Sequence, residues 1–419
     1  MHDRIILHVD INNFYASAAL LYNPELKDKS FVVCGDPDKR HGVVLAKNDA
    51  AKKSGVRTGE TLADARRKVK DLYAVPPDFQ KYTYLSQKAI SIYKEYTPFV
   101  ESFGLDECWL DVTETAHLFG GGYAIADDIR NRMKNEVGLT VSIGVSFTKV
   151  FAKLGSDMKK PDAITVISKD SYRDIVWNLS AEDMLYVGRS SGMKFREMGI
   201  KTIGDIATSD IVKLSFAFGK VGEKLFLMAN GNDNDPVSES NQKYLPESVS
   251  NGTTTEVDIV TIKDAKTIIY SLSEVIAFRL RQYDCVVGGV SVSVRTADLE
   301  MESRQSRLSE TTSDAKTIAD EAISLLNSFY RFGVDRPIRM ITVGTYALIE
   351  RGEEEVQSTL FERPIKSDMI NPKLDTLRKK YGYDILKRGI EINAVFRPDI
   401  KDVEDGYIPF DRNSAKKKD

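Results

Sequence analysis

Hydrophobic positions in the first 166 residues follow two different spacings. Short apolar runs bounded by turn residues predict buried strands at residues 4–9, 31–33, 42–45, 100–103, 108–112 and 140–145. Between them, apolar residues recur three and four positions apart, which predicts one helix over 85–96 that stops before Pro98 and another that ends at Gly138. Strands and helices mixed in this way indicate an α+β unit.

The pattern changes twice more along the chain. Residues 167–232 become helical with short glycine-bearing turns, and residues 230–243 have the polar, Pro-containing composition of a linker. Residues 249–347 then read as βαββαβ, which predicts a sheet with two helices on one face. A charged tail follows from about residue 350 and contains one more helical stretch at 373–387. We therefore expect an α+β chain of several domains.

The composition is that of a globular protein with more than one core: 419 residues, 42% hydrophobic and 29% charged. Because the formal net charge is only −3, a nucleic-acid partner would have to be held by local basic clusters and backbone amides. Cys34, Cys108 and Cys285 are far apart and odd in number, which fits neither a disulfide framework nor a zinc site and favours a reducing, cytoplasmic compartment. The first apolar run is too short for a signal peptide or a membrane span.

The strongest chemical signal is a set of carboxylates at predicted strand ends. Asp10 closes the first strand in LHVDINNFYASA, and Asp106 and Glu107 are adjacent in SFGLDECWLDV. Adjacent carboxylates in a buried hairpin repel each other unless a cation or a basic group joins them, and Mg²⁺ prefers such oxygen ligands. Alternatively, Asp10 caps the following helix and the other two occupy a solvated turn. The four histidines have no ligand spacing and are interpreted as surface or packing residues: His2, His8, His41 and His117.

Two further motifs suggest partners. In YVGRSSGMKFREMGIKTIGDIA (186–207), a glycine turn at Gly188 leads into a short helix, so its amides and Arg189 can hold a DNA phosphate without reading sequence. An ordinary turn between two helices is an equal alternative. In EVQSTLFERP (355–364), the pair Leu360–Phe361 either packs against the rest of this protein or binds in a hydrophobic pocket of a partner.

Taken together, these motifs resemble the Y-family of translesion DNA polymerases over about residues 4–395. The stretches that carry the resemblance are LHVDINNFYASA, GLDECWLDVT, VSIGVSFTKVFAKLGSDMKKP, YVGRSSGMKFREMGIKTIGDIA and LRKKYGYDILKRG. The resemblance implies a right-hand polymerase with a palm (1–22 and 78–166), small fingers (23–77), a thumb with a helix-hairpin-helix (167–232), a linker (233–244), a little finger (245–348) and a tail that binds the replicative sliding clamp (349–419).

The same resemblance implies roles for individual residues. The catalytic carboxylates and one backbone carbonyl would bind two Mg²⁺ ions: Asp10, Ile11, Asp106 and Glu107. Tyr15 matches the family's steric gate against ribonucleotides, Phe14 the aromatic residue beside it, and Lys160 a triphosphate-binding lysine. The clamp-binding peptide is matched by Gln357, Leu360 and Phe361.

Two regions depart from the family pattern. Asp49 stands where many members have a triphosphate-contacting tyrosine, and Lys52 where an arginine is usual, so we expect Asp49 to turn away and Lys52 to hold the nucleotide less firmly. This fingers pattern looks closer to the catalytic subunit of DNA polymerase V than to DNA polymerase IV. The sequence therefore does not decide to which of these two branches of the family the chain belongs. Residues 247–350 carry 15 acidic and 11 basic side chains, a net charge of −4. DNA contact there must use a local face, expected to comprise Ser291, Ser293 and Arg295 on one side of a strand, with Arg304 and Arg307 nearby.

We therefore expect a template-directed DNA polymerase that extends primers past damaged bases with low fidelity. Its expected partners are primer-template DNA, deoxynucleoside triphosphates, two Mg²⁺ ions and the sliding clamp, and it would act as a cytoplasmic monomer in the SOS response to DNA damage. One alternative is a catalytically weak or silent clamp-bound scaffold for DNA repair, which the intact carboxylates argue against. Another is a different two-metal palm enzyme such as a nucleotide cyclase, which the hairpin and clamp motifs argue against.

Overall fold

The structure, a computed structural model, describes residues 4–36, 40, 42–240, 245–353, 366–381, 385–386 and 389, without the side chains of 366–372 and 379. The chain divides into two compact units, one formed by Met1–Val33, Val44–Glu60 and Asp64–Gln242, the other by Cys34–Val43, Thr61–Ala63 and Lys243–Asp419. None of the helices in the described ranges is both long and apolar enough to cross a lipid bilayer.

The first unit begins with a five-stranded sheet and a three-stranded sheet. In chain order the elements are β1 (Ile6–Ile11), α1 (Phe14–Tyr22), β2 (Phe31–Cys34), β3 (Val44–Lys47), α2 (Asp49–Lys53), α3 (Leu62–Lys68), β4 (Tyr73–Val75), α4 (Phe79–Tyr93), β5 (Val100–Ser102), β6 (Glu107–Asp111), α5 (Gly122–Arg132), β7 (Val141–Ser146), α6 (Lys149–Met158) and β8 (Ile164–Ile167). The strand order is β5-β6-β1-β7-β8 in the larger sheet and β3-β2-β4 in the smaller one.

Strand β1 lies inside the larger sheet and is covered on both faces. All six of its residues are buried, including the polar residues His8 and Asp10. Leu7, Val9 and Ile11 belong to the core formed with α4 and α5. Because side chains alternate along a strand, His8 and Asp10 face the opposite side, where α6 packs.

Two glycines let α6 approach the sheet closely. A Cβ atom at Gly144 on β7 would lie 1.8 Å from the carbonyl oxygen of Ala152 on α6. A Cβ atom at Gly155 would lie 3.1 Å from the Cα atom of Gly144. Thr148 fixes the start of the helix by accepting a hydrogen bond from the Phe151 amide. The inner face of α6 is therefore held directly over β1 and β7.

The beginning of the predicted linker at 233–244 lies against the larger sheet. Val237 is buried in a small core beneath β1. The Ser238 amide donates to Glu101 Oε2 at 2.9 Å, and Lys149 Nζ donates to Glu101 Oε1 at 2.6 Å. The chain is thus attached to the sheet through residue 238, and the boundary between the two units follows at residue 242.

Five helices complete the first unit, as the helical pattern of 167–232 predicts. They are α7 (Tyr172–Val176), α8 (Arg189–Glu197), α9 (Ile203–Thr208), α10 (Ile211–Phe218) and α11 (Lys220–Ala229). They share one core with the start of α6. A capping box begins α9, in which the Thr202 side chain accepts from the Asp205 amide while the Asp205 side chain accepts from the Thr202 amide.

The second unit contains an antiparallel four-stranded sheet. Its elements are β9 (Ser248–Ile259), α12 (Ile262–Gln282), β10 (Cys285–Thr296), β11 (Met301–Thr312), α13 (Ala315–Phe329), β12 (Ile338–Glu350) and α14 (Lys366–Tyr381). The strand order is β11-β10-β12-β9, and both α12 and α13 contribute to one core with the sheet. The predicted βαββαβ order and the α+β multidomain fold are therefore confirmed.

Helix α14 packs on α12 through two ion pairs. Asp375 accepts two hydrogen bonds from Arg281, at 2.6 and 2.7 Å. Arg378 Nη1 lies 3.0 Å from Glu274 Oε2, with both side chains buried. Helix α14 begins at Lys366, earlier than the predicted start at residue 373, and residues 382–384 and 387 of the predicted helix lie outside the described residues.

We predict that Gly144→Ala lowers the unfolding midpoint, because its Cβ would collide with the backbone of α6 rather than with a movable side chain. Overpacking of this kind costs about 1–3 kcal/mol. Thermal and urea unfolding followed by fluorescence would measure the change. Gly188→Ala is the matched control, since φ is −88° there and no atom lies within 4 Å of the added Cβ. A Gly144→Ala protein as stable as the parent would contradict the close approach.

Candidate active site

Three carboxylates meet at the ends of β1 and β6. The strands pair antiparallel with Asp10 opposite Glu107, and the Ile11 amide donates to the Asp106 carbonyl oxygen at 2.9 Å. Asp10 is buried, and Asp106 and Glu107 are half-buried. The N-cap of α1 is Asn13, without a side-chain capping bond. Asp10 is therefore not a helix cap, and the other two carboxylates do not occupy a fully solvated turn.

Two lysines contact these carboxylates from the α6 side. Lys160 Nζ donates to Asp10 Oδ2 at 2.7 Å and lies 2.8 Å from Asp157 Oδ1. Lys153 Nζ donates to Glu107 Oε2 at 2.5 Å. Because buried charges require nearby opposite charges, Lys153 and Lys160 act as counter-ions of the carboxylates in the protein alone.

The environment shifts the three carboxyl groups in different directions. Burial raises the pKa of Asp10 to about 6, although the charge of Lys160 opposes this. Burial and the nearby charge of Glu107 raise the pKa of Asp106 to about 6. Burial alone would raise the pKa of Glu107, but the contacts with His8 and Lys153 lower it to about 2. One carboxylate is thus firmly ionised, and the ionisation of the other two would be favoured by a cation.

The donor atoms fit a divalent cation, although the side chains are not yet arranged around one. Among the residues that the structure describes, no three His, Cys, Asp or Glu side chains form a group that could hold a metal ion. The donors at the strand ends are carboxylate and carbonyl oxygens, which Mg²⁺ prefers. The residues that could hold metal are those predicted: Asp10, Ile11, Asp106 and Glu107. Binding would require Lys153 and Lys160 to release their carboxylates.

Aromatic rings support Tyr15 at the start of α1. The Tyr15 ring is stacked on Tyr82 of α4, with centroids 4.4 Å apart and planes 20° apart, and Phe79 meets it edge-on at 6.0 Å. Phe14 is 3% exposed and belongs to the main core, so packing accounts for it. Sequence reasoning did not name Phe79 or Tyr82, because the helix predicted at 85–96 begins after them, whereas the observed helix α4 begins at Phe79.

The fingers residues lie on α2. Asp49 Oδ1 accepts a hydrogen bond at 3.0 Å from Asn13 Nδ2, so Asp49 bridges α2 to the loop that leads from Asp10 into α1. Lys52 is exposed in the last turn of the same helix. In the described part of the chain it forms no ion pair with the three carboxylates. The structure therefore groups Lys160, but not Lys52, with the candidate metal ligands.

The predicted phosphate-binding turn is present in the helical part of the first unit. Gly188 is the N-cap of α8 and Arg189 its first residue. A Cβ atom at Gly188 would have no atom of the described residues within 4 Å. The geometry is compatible with a phosphate contact and equally with an ordinary turn.

The strand register decides which predicted side chains of the second unit share a face. Along β10, Ser291, Ser293 and Arg295 lie on one face, and Arg307 shares it because it pairs with Gly289. Arg304 pairs instead with Val292, a core residue. Its guanidinium lies 5.2 Å from the ring centroid of Phe329 on α13. Arg304 therefore lies close to Ser291 and Ser293, as expected, but its side chain is on the helix side of the sheet.

The predicted clamp-binding residues cannot be placed. Gln357, Leu360 and Phe361 lie outside the residues that the structure describes.

Comparison with known proteins identifies related chains. Residues 9–157 match the impB/mucB/samB family, and residues 246–360 match the C-terminal domain of that family. DNA polymerase IV of Acetivibrio thermocellus is 42% identical over 390 residues, which cover 92% of this chain and 97% of that protein. DNA polymerase IV of Clostridium acetobutylicum is 32% identical over 393 residues, covering 92% and 98%.

A solved structure of a Y-family DNA polymerase chimera of Dbh and Dpo4 has the same fold. It superimposes with a TM-score of 0.73 over 83% of this chain and 99% of the chimera, at 22% identity. Fold and relatives together define a DNA-directed DNA polymerase. The chain belongs to the impB/mucB/samB family, the Y-family of translesion DNA polymerases. Its substrates are template DNA and nucleotides, and the predicted family and enzyme class are confirmed.

We predict opposite stability changes for Asp106→Asn and Glu107→Gln in EDTA. Because the pKa of Asp106 is raised, the protonated side chain favours the folded state, and this contribution is lost as pH rises through about 4 to 6. At pH 7.5 the charge of Asp106 therefore destabilises the folded protein. Asp106→Asn should then raise the free energy of unfolding on the order of 2 kcal/mol at pH 7.5 and change it little at pH 4.

The charge of Glu107 has the opposite effect on the stability of the folded protein. Its lowered pKa stabilises the folded state above the unfolded value, and this contribution is lost as pH falls toward about 2. Glu107→Gln should therefore destabilise the protein at pH 7.5. Urea unfolding of both variants at the two pH values measures the difference, and changes of the same sign at pH 7.5 would contradict the proposed electrostatics.

Proposed function

We propose that the chain performs low-fidelity DNA synthesis past damaged bases by two-metal nucleotidyl transfer. The pairing of Asp10 with Glu107 beside Asp106 supports this most directly, because it gathers oxygen donors at the ends of two rigid strands. Bound Mg²⁺ would activate the primer 3′ hydroxyl and neutralise charge on the α-phosphate and the leaving pyrophosphate. The three carboxylates and the Ile11 carbonyl would hold two such ions.

Two lysines are proposed to bind the triphosphate. Burial would lower the pKa of Lys160, but the charges of Asp10 and Asp157 raise it. Lys160 therefore stays protonated and could transfer its hydrogen bond from Asp10 to a phosphate oxygen. Lys52, exposed on α2, would supply a second point charge without the forked geometry of an arginine.

Tyr15 is proposed as the steric gate. Its ring is supported by Tyr82 on one face and by Phe79 at an edge, so it cannot easily move aside for a ribose 2′-hydroxyl. Exclusion by such a wall discriminates by repulsion, and it leaves the deoxyribose unaffected. Phe79 and Tyr82 would act through Tyr15 as positioning residues.

DNA would be held by two surfaces, one in each unit. The Gly188 turn and Arg189 would contact a phosphate at the start of α8. In the little finger, Ser291, Ser293, Arg295 and Arg307 form one face of β10 and β11. Gly344 contributes no side chain to this face, where a Cβ atom would lie only 2.6 Å from Ser291 Oγ. Hydroxyl groups and backbone would therefore approach the phosphates closely, with little positive charge.

We also propose recruitment by the replicative sliding clamp through Gln357, Leu360 and Phe361, on the sequence match alone. The relatives support a DNA polymerase IV type. We further propose that the chain acts as a monomer in the cytoplasm, where the primer-template lies. Replacing Leu360 and Phe361 by Ala should abolish clamp binding in surface plasmon resonance and leave clamp-free synthesis unchanged. Equal clamp affinity of both proteins would remove this part of the proposal.

Primer extension with Glu107→Ala tests the catalytic proposal. Loss of a metal ligand should abolish nucleotide addition, whereas affinity for primer-template should change little, because phosphate contacts elsewhere provide it. Single-turnover extension and fluorescence anisotropy measure the two quantities. Extension at the parental rate would disprove the two-metal assignment and reopen the scaffold alternative.

Two arginine variants provide the matched control for the DNA contacts. Arg307→Ala should weaken DNA binding because Arg307 lies on the open face of the sheet. Arg304→Ala should not, since its guanidinium packs over Phe329. Equal effects of the two variants would mean that the proposed DNA face is wrong.

Tyr15→Ala should admit ribonucleotides while keeping deoxynucleotide incorporation. We expect the preference for deoxynucleotides to fall by a factor of ten or more, since removal of a clash is worth on the order of 1–3 kcal/mol or more. Tyr82→Ala should give a smaller change in the same direction, because it only releases the gate ring. Single-nucleotide kinetics with matched triphosphates measures the ratio, and an unchanged ratio in active Tyr15→Ala would exclude Tyr15 as the gate.

A further inference from the structure

His8 is a buried polar residue with no part in the proposed mechanism, yet it lies next to the carboxylates. It is 0% exposed in the middle of β1, and its ring meets Trp109 edge-on, with centroids 5.1 Å apart. Its Nε2 atom lies 3.3 Å from Glu107 Oε2. Nε2 forms no aligned hydrogen bond with any described residue. A fully buried nitrogen thus points at a proposed metal ligand.

The other ring nitrogen limits which tautomer of His8 is possible. Nδ1 lies 2.8 Å from Ser156 Oγ, and Ser156 Oγ also lies 2.8 Å from the Lys153 carbonyl oxygen. The hydroxyl has a single proton to donate. If the proton goes to the carbonyl, Nδ1 must carry the ring proton, and neutral His8 would then turn the lone pair of Nε2 toward a carboxylate oxygen.

The opposite arrangement avoids this repulsion. When Ser156 donates to Nδ1, the ring proton sits on Nε2 and can be donated to Glu107 Oε2. The Lys153 carbonyl does not lose its only partner, because it lies in the interior of α6 and accepts the backbone hydrogen bond of the helix. A small rotation of the Glu107 carboxylate would align the Nε2–H bond.

We propose that His8 is a positioning residue for Glu107. Ser156 selects the Nε2–H tautomer, and His8 then keeps Oε2 on the α6 side after Lys153, which contacts the same atom in the protein alone, has been displaced. The Oε1 atom is left to face a divalent cation. This inference rests on the proposed role of Glu107 as a metal ligand, and hydrogen bonds of this kind to metal ligands typically govern metal affinity by 10- to 100-fold.

A packing role alone does not explain the residue. Burying an imidazole without a complete set of hydrogen bonds is unfavourable. A phenylalanine at this position would keep the edge-on contact with Trp109 and add no unsatisfied nitrogen. The polar ring therefore has a use that packing does not require.

Mn²⁺ binding measured by electron spin resonance tests the proposal without turnover. The probe is Mn²⁺ added to the full chain with a dideoxy-terminated primer-template and the next nucleotide. His8→Phe should raise the Mn²⁺ dissociation constant about tenfold or more, and His8→Gln, which keeps an N–H donor, should bind within about threefold of the parent. Unfolding midpoints of both variants identify any general loss of folding.

Histidine spectra provide a second measurement on the parent itself. The chain has only four histidines, so the ¹⁵N signals of His8 can be assigned by their loss in His8→Gln. We expect the Nε2–H tautomer in the parent and a loss of that preference in Ser156→Ala. The Nδ1–H tautomer in the parent would overturn the proposal even if His8→Phe does not fold.

Glu107→Ala separates failure of this inference from failure of the proposed function. If Glu107→Ala binds Mn²⁺ with the affinity of the parent, Glu107 is not a metal ligand, and both the two-metal assignment and the positioning role of His8 are wrong. If Glu107→Ala loses Mn²⁺ while folded His8→Phe keeps parental affinity, only the role of His8 is wrong. Weaker binding by both, with recovery in His8→Gln, supports the positioning role.

Discussion

The contact between α6 and β7 at Gly144 is the constraint on which the site depends. No side chain larger than hydrogen fits there, because a Cβ would lie 1.8 Å from the Ala152 carbonyl oxygen. This contact brings Lys153 and Ser156 within hydrogen-bonding distance of Glu107 and His8 on the neighbouring strands. Without it, the carboxylates at the strand ends would lose their counter-ions.

The active site combines groups that stabilise the fold with groups that oppose it. Glu107 is ionised at little cost because Lys153 and His8 favour its charge. Burial raises the pKa of Asp10 and of Asp106 to about 6, so that their ionisation above this pH destabilises the folded protein. Sites that bind cations commonly accept such a loss of stability, because the ligand restores it on binding.

The local sequence pattern predicted much of the fold and the carboxylate cluster. Asp10 was recognisable because it ends a buried strand, and the βαββαβ order followed from periodicity alone. Non-local contacts were not accessible in this way. His8 was interpreted as a packing or surface residue, since its relation to Glu107 exists only once β1, β6 and α6 are assembled. The face on which Arg304 lies could not be derived from the sequence, because it depends on the pairing of β10 with β11, which contains an irregularity.

The central claim is that Lys153 and Lys160 hold the place of divalent cations at the carboxylates. The most direct test is a crystal structure of the ternary complex with Mn²⁺, a dideoxy-terminated primer-template and the matching nucleotide, with Mn²⁺ located by anomalous scattering. We expect two peaks about 4 Å apart, bound by Asp10, Asp106 and Glu107, and both lysines displaced from their carboxylates. Fewer than two peaks at these residues, with Lys153 and Lys160 still paired to Glu107 and Asp10, would contradict it.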